Sequence, residues 1–247
     1  MIALIDADIV AYRCAASAEN EPEEIAILRV ENLMREILEA TNSESYQCFI
    51  SPSKNFRHII YPEYKANRRN TVDPKWRQAC KDYLYTQWNG KDFFNYEADD
   101  ALAWNQTDGT VICSIDKDLK QIAGWHYNFV KKEGDEVEPL QGLSTFYQQV
   151  LIGDKTDNLI GLKGIGPKIA ARYLEGCYTE QEMFDTCNTL YQDKHQLAVN
   201  LMCMWLCRSQ GETWVHHQRD TQLIIPSMLE QELDLMLESM KSSTKIT

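Results

Sequence analysis

Nine acidic residues fall into four tight groups: Asp6 with Asp8; Glu97 with Asp99 and Asp100; Asp116 with Asp118; Asp154 with Asp157. Crowded carboxylates repel one another unless a cation sits among their oxygens, and Mg²⁺ takes this kind of hard oxygen ligand. Helix capping is the competing explanation. It suits Asp6 or Asp8 alone and one or two of the acids in Glu97-Ala98-Asp99-Asp100. Soon after Asp157 the chain reads Gly161-Leu162-Lys163-Gly164-Ile165-Gly166-Pro167-Lys168, a glycine turn running into a helix. Such a turn exposes backbone N–H groups, and the helix start adds a partial positive charge, which together seat a phosphate. Acids that want a cation beside a seat that wants an anion point to metal-dependent chemistry on a phosphodiester. A third feature gathers Lys54, Arg57, Lys65, Arg68 and Arg69 among Phe56, His58, Tyr61 and Tyr64. Cations interleaved with rings suit single-stranded or frayed nucleic acid; the same composition also fits a solvated surface helix.

The elements that would position these residues are legible in outline. Residues 1–5 are apolar and end in Asp6-Ala7-Asp8, as a buried parallel strand does when its carboxyl end faces a site. Residues 22–40 carry an amphipathic helix, and Tyr46-Gln47-Cys48-Phe49-Ile50-Ser51 a second strand, so a right-handed parallel crossover is expected. Residues 75–88 form another amphipathic helix. Phe93 to Tyr96 is expected to be a short strand feeding a helix at Glu97. Residues 110–115 form a β-rich run ending in Asp116 and Asp118, and 127–130 a further strand before a turn at Gly134-Asp135. In a parallel sheet the acid-bearing strand ends share one edge. Beyond this the chain turns helical: 144–152 with Ser144 as N-cap, 167–174, a helix opened by a capping box of Thr179 and Glu182, 195–208 and 226–240. The expected organisation is an α/β core over 1–140 and a helical region over 141–247.

The net charge of −12 argues superficially against a polyanionic ligand, but setting aside the nine clustered acids leaves 28 acids against 25 bases. Local patches therefore decide. No run approaches about 18 apolar residues, so no membrane span is expected. The opening MIALIDADIVAYR lacks the basic lead of a signal peptide. The eight scattered cysteines read as reduced core thiols of a cytoplasmic protein.

In order along the chain, Asp6 after a strand, Phe56-Arg57, Tyr64-Lys65-Ala66-Asn67-Arg68, Glu97-Ala98-Asp99-Asp100, Ser114-Ile115-Asp116-Lys117-Asp118-Leu119 and Gly153-Asp154-Lys155-Thr156-Asp157-Asn158 are followed by the glycine turn. This series, over roughly residues 1–175, resembles the flap endonuclease and 5′–3′ exonuclease family, in its bacteriophage branch. The resemblance implies an α/β fold with a mostly parallel twisted sheet flanked by helices (PIN-like), a helical arch over about 61–90, a helix-three-turn-helix module over about 144–174 and a helical C-terminus. It implies two Mg²⁺ ions, replaceable by Mn²⁺. Asp6, Glu97, Asp99 and Asp116 fall near the first and Asp118, Asp154 and Asp157 near the second, with Asp100 between. Lys65 and Arg68 match basic residues at the scissile phosphate. Arg57, Tyr64, Arg69, Lys117, Lys163, Gly164, Gly166 and Lys168 are the expected DNA contacts, with a K⁺ on the carbonyls of the glycine turn. The implied activity is hydrolysis of DNA near a 5′ end or flap, with RNA of RNA–DNA hybrids as a second substrate, replication proteins as partners, and the host cytoplasm as location if the gene is a phage's.

One departure stands out. The family places an aspartate shortly after the second strand, where this chain has Ile50-Ser51-Pro52-Ser53. Asp8 is the candidate replacement, reaching the metal directly or through water. The missing acid also motivates a rival expectation, a DNA-end or junction binder with little catalysis. A small ribonuclease on the same sheet is a third, disfavoured by the arch-like insert and the glycine turn.

Overall fold

The computed structural model describes residues 1–69 and 71–244. In chain order its elements are β1 (Ile2–Asp6), α1 (Ala7–Ser17), α2 (Glu23–Ala40), β2 (Ser45–Phe49), α3 (Arg57–Ile60), α4 (Arg77–Gln87), α5 (Ala98–Asn105), β3 (Thr110–Cys113), β4 (Gly124–Asn128), β5 (Glu133–Val137), α6 (Pro139–Ile152), β6 (Gly153–Asp154), β7 (Leu159–Ile160), α7 (Pro167–Leu174), α8 (Glu180–Leu190), α9 (Lys194–Met204), α10 (Trp214–Asp220) and α11 (Ser227–Thr244). They form two compact units. One comprises Met1–Lys54 and Thr71–Glu138, the other Asn55–Asn70 and Pro139–Thr247. The segment ahead of residue 70 thus belongs with the helices, not with the sheet on either side of it.

The first unit is built on a sheet of order β2-β1-β3-β4-β5, parallel except for the last pair. Leu4 and Ile5 of β1 and Ile112 and Cys113 of β3 are essentially unexposed, as befits parallel strands covered on both faces. Ile5 and Cys113 share one apolar core with Val10, Ala11 and Cys14 of α1, Val30, Met34 and Ile37 of α2, and Cys80 and Leu84 of α4. Because β1, β2 and β3 run in parallel, Asp6, the Ile50-Ser51 step and Ser114 to Asp118 all follow strand ends at the same edge.

Two local expectations are corrected. Phe93 to Tyr96 is not a strand but a tight turn: Tyr96 N donates to the Phe93 carbonyl at 3.0 Å, and Asn95 takes a left-handed φ of 73°. Its run of aromatics mimics strand propensity while serving ring packing, with Phe93 and Tyr96 both edge-on to Trp104. Gly134 and Asp135 lie inside β5. The reversal comes earlier, where Lys132 has a φ of 59° and its N–H donates to the Asn128 carbonyl at 2.8 Å.

In the second unit α9 is the buried centre, with Leu197, Ala198, Leu201 and Met202 unexposed and α3, α6, α8, α10 and α11 packed on it. Ser144 is interior to α6, which begins at Pro139, so it is not the cap. The capping box of Thr179 and Glu182 opens α8 as expected. Between α6 and α7 the chain makes a two-strand hairpin, β6 with β7. Here glycine is obligatory: a Cβ on Gly161 would lie 2.1 Å from the Ile152 carbonyl carbon. Seven cysteines are buried and Cys177 half-buried, all as free thiols. Among the described residues no helix is long and apolar enough to cross a membrane.

Candidate active site

Seven of the nine clustered acids belong to the sheet unit. Asp6 closes β1 and caps α1, accepting from Ile9 N at 3.2 Å, while its other oxygen accepts from Ser114 Oγ at 2.7 Å. Ser114 Oγ in turn accepts from Asp116 N at 3.0 Å, and Asp116 Oδ1 from Asp118 N at 2.8 Å. The residues after β3 are thereby tied to the end of β1. Burial pushes the Asp6 carboxyl up to about 7, and the neighbouring charges of Asp8 and Asp116 add to the rise against the pull of Ser114 and the Ile9 amide. Repulsion among these acids is thus explicit at Asp6.

Glu97, Asp99 and Asp100 open α5. Asp100 is wholly buried and accepts from Glu97 N at 3.0 Å, one half of a capping box with Glu97. Its carboxylate serves the helix start, and Asp99 is the half-buried member of the three. Ser51 stands where the resemblance places an acid. Its Oγ accepts from Ala98 N at 2.9 Å, and its own N–H donates to Asp8 Oδ2 at 2.7 Å. Asp8 Oδ1 lies 2.5 Å from Lys81 Nζ of α4. That contact falls outside hydrogen-bond alignment, and Oδ1 has no hydrogen-bond partner. Lys81 did not stand out in the sequence. Lys81 sits one residue past buried Cys80, and no local pattern distinguishes it from a solvated lysine.

The remaining acids, with the two basic residues expected at the scissile phosphate, Lys65 and Arg68, lie in the helical unit. Asp154 Oδ1 accepts from Thr156 N at 2.6 Å and Asp157 N at 3.3 Å, which folds the loop between β6 and β7. Asp157 accepts from Arg68 Nη2 at 2.5 Å and Tyr64 OH at 2.8 Å, with Lys65 Nζ at 3.6 Å. Lys65 holds a left-handed φ of 55°, and its N–H donates to the Asp157 carbonyl at 2.9 Å. Two of the expected DNA contacts are corrected. Arg57 is 1% exposed and donates to the carbonyls of Cys203 and Trp205 at 2.8 Å each, so it holds the end of α9. Tyr64 is 2% exposed, its ring edge-on to His58, and has no face to offer a base. Arg69, Lys117, Lys163 and Lys168 are exposed. Gly164 has a φ of +82°, whereas Gly166 is extended with open space about it, so only Gly164 needs to be glycine for its backbone.

Among the described residues no three His, Cys, Asp or Glu side chains are grouped closely enough to hold a metal ion as they stand. The donor set still fits a hard divalent ion in kind. It is all carboxylate, partly buried, and carries an acid whose proton affinity is raised by burial and by its charged neighbours. Mg²⁺ keeps several waters and uses few direct carboxylates, so it does not require a closed protein cage.

Residues 1–147 match a family model described as the 5′–3′ exonuclease, N-terminal resolvase-like domain. A 5′–3′ exonuclease of Mycoplasmopsis pulmonis is 28% identical over 171 residues, covering 61% of this chain and 57% of that protein. One from Aquifex aeolicus is 31% identical over 145 residues, 51% of this chain and 50% of that protein. The thermostable DNA polymerase I of Thermus caldophilus is 26% identical over 197 residues, 70% of this chain and 24% of the polymerase. The chain thus spans little more than half the length of these relatives, or less. In fold it matches the bacteriophage T5 D15 protein crystallised with metal ions, with a TM-score of 0.66 at 15% identity over 97% of this chain and 99% of that one. The T5 D15 flap endonuclease in complex with DNA and metal ions gives the same score at 14% identity and the same coverage.

Proposed function

The chain belongs to the flap endonuclease and 5′–3′ exonuclease family, and we propose that it is a divalent-metal-dependent hydrolase of DNA phosphodiesters near 5′ ends. The observation that carries this reading is the edge of the sheet unit. There Asp6 closes β1 and is tied through Ser114 to Asp116 and on to Asp118, with Asp8 two residues on, so that several carboxylates follow strand ends at one edge, an arrangement that asks for a cation. Two Mg²⁺ ions are proposed, replaceable by Mn²⁺, with Asp6, Asp8, Glu97, Asp99, Asp116 and Asp118 as the candidate carboxylates of the sheet unit and Asp154 and Asp157 as those of the helical unit. Asp100 supports the site by fixing the start of α5. When bound, divalent ions supply an activated water and neutralise charge on the leaving oxygen.

The chain's own residues do the rest. Ser114 orients the Asp6 carboxylate and positions Asp116 through its backbone. Lys65 and Arg68 hold two positive charges on Asp157, where they would meet a phosphate and offset the charge that grows in the transition state. The Gly161–Lys168 turn, with Lys163 and Lys168 exposed, offers backbone amides and cations to a duplex backbone; its carbonyls are the proposed seat of a K⁺. RNA of RNA–DNA hybrids is the proposed second substrate, replication proteins the proposed partners, and the cytoplasm the proposed location.

Digestion of 5′-labelled flap, blunt duplex and single-stranded DNA with Mg²⁺, against an EDTA control, tests the reading. Metal-dependent release of 5′-phosphorylated products is expected. Binding without cleavage at every Mg²⁺ and Mn²⁺ concentration would favour the junction binder.

A further inference from the structure

At the sheet edge, Asp8 carries a lysine ammonium at one of its oxygens. Both side chains are largely covered, Lys81 at 16% and Asp8 at 19% exposure, so their attraction is screened far less than at a surface. The two oxygens of Asp8 are used differently. Oδ2 is fixed by the Ser51 N–H, whereas Oδ1 meets Lys81 by charge alone, buried and without an aligned hydrogen bond. A carboxylate fixed through one oxygen and paired at the other with a single ammonium, by charge and without an aligned hydrogen bond, can exchange that ammonium for a harder cation.

We infer that Lys81 is an internal counter-ion that competes with the divalent metal for Asp8, and so sets the affinity of the site. This rests on the reading of the sheet edge as a metal site. Where the resemblance expects an acid, Ser51 has none, and it uses its N–H and its hydroxyl to tie Asp8 to the first turn of α5. Asp8 therefore stands two residues from Asp6 as an extra negative charge, and Lys81 offsets that charge while no metal is bound. A divalent ion approaching Asp6 must either tolerate the nearby ammonium or displace it. Displacement releases Asp8 Oδ1 as a ligand, direct or through water. Lys81 is then a positioning residue, acting on the metal through Asp8.

The test is Mg²⁺ titration by calorimetry on the DNA-free full chain, with melting temperatures in EDTA and in Mg²⁺. Lys81→Met should bind Mg²⁺ roughly tenfold more tightly, the size of one charge removed from a partly covered site. It should melt lower than wild type in EDTA and recover in Mg²⁺, because the metal takes over the abandoned carboxylate. Lys81→Arg, which keeps the charge, should restore near-wild-type affinity. In the Asp8→Asn background the gain from Lys81→Met should vanish. Three results each overturn the inference: unchanged affinity in Lys81→Met, an equal melting loss with and without Mg²⁺, or a gain that persists in the Asp8→Asn background. The second assigns Lys81 a packing role, and the third a general electrostatic one. Asp116→Asn is the control for the underlying reading. If it leaves Mg²⁺ binding intact with Asp8 and Lys81 both in place, the metal site itself is misplaced, whatever Lys81 does.

Discussion

Asp6 is asked to be buried and, in a metal-loaded site, ionised. Its folded-state value near 7 lies above the ordinary 3.8, so the folded chain holds a proton that the unfolded chain has released. This group's contribution to stability is therefore present at low pH and is lost as pH rises from about 4 to about 7. A cation supplies the missing charge partner, so Mg²⁺ should raise the melting temperature more at about pH 8 than at about pH 5.5; equal shifts would contradict it. Cleavage should be lost far more completely on Asp157→Ala or Lys65→Ala than the fold is. A drop on the order of 10²-fold or more in kcat is expected from removing such a charged contact, checked by single-turnover assay; a wild-type rate in either would discredit the assignment. The types and spacings of these acids were legible because crowded like charges need a shared reason. Arg57 and Tyr64 were not, because their fate is decided by carbonyls of α9 and by Asp157, roughly a hundred residues away or more. Nothing local distinguishes a buried arginine from one that meets a phosphate.

At the scale of elements, the start of α5 depends on a neighbour in space. Its first free amide, at Ala98, is satisfied by Ser51 from beyond β2. Ser51→Ala should cost about 1 kcal/mol, as other lost caps do, seen in chemical denaturation midpoints. Ser51→Asp would keep an accepting oxygen there and return a carboxylate to the position the family fills. It should tighten Mg²⁺ binding, read by calorimetry without DNA. Gly161→Ala should prevent the β6–β7 hairpin from closing, since its Cβ has no room beside Ile152. Strands β1 and β3 were readable from apolar runs that end in acids. The Phe93–Tyr96 turn was misread because an aromatic run carries strand propensity whether its rings face a sheet or, as here, pack on Trp104.

For the molecule as a whole, acid and base sensitivities pull in opposite directions. His126 is buried in β4 with Nε2 2.8 Å from the Ile122 carbonyl, to which the neutral ring donates, and burial lowers its value to about 4. Its contribution to stability is present above the ordinary 6.5 and is lost as pH falls toward 4, the reverse of Asp6. The run of helices that dominates the chain beyond residue 140 was legible from its amphipathic stretches and capping box. The placement of Asn55–Asn70 with the helices was not, because sequence order places it inside the sheet unit. That placement has a consequence for anyone who cuts the gene. The helical unit is not contiguous, so a fragment stopping at Glu138 inherits a stretch whose companions have been left behind. It would carry Arg57 without the two carbonyls of Cys203 and Trp205 that it grips. Brief trypsin treatment of such a fragment should cut first at Arg57, Lys65, Arg68 or Arg69 while the flanking sheet resists, and the intact chain should be spared at Arg57. Swapping this chain's two units with a relative's would likewise require exchanging two separate stretches of sequence together.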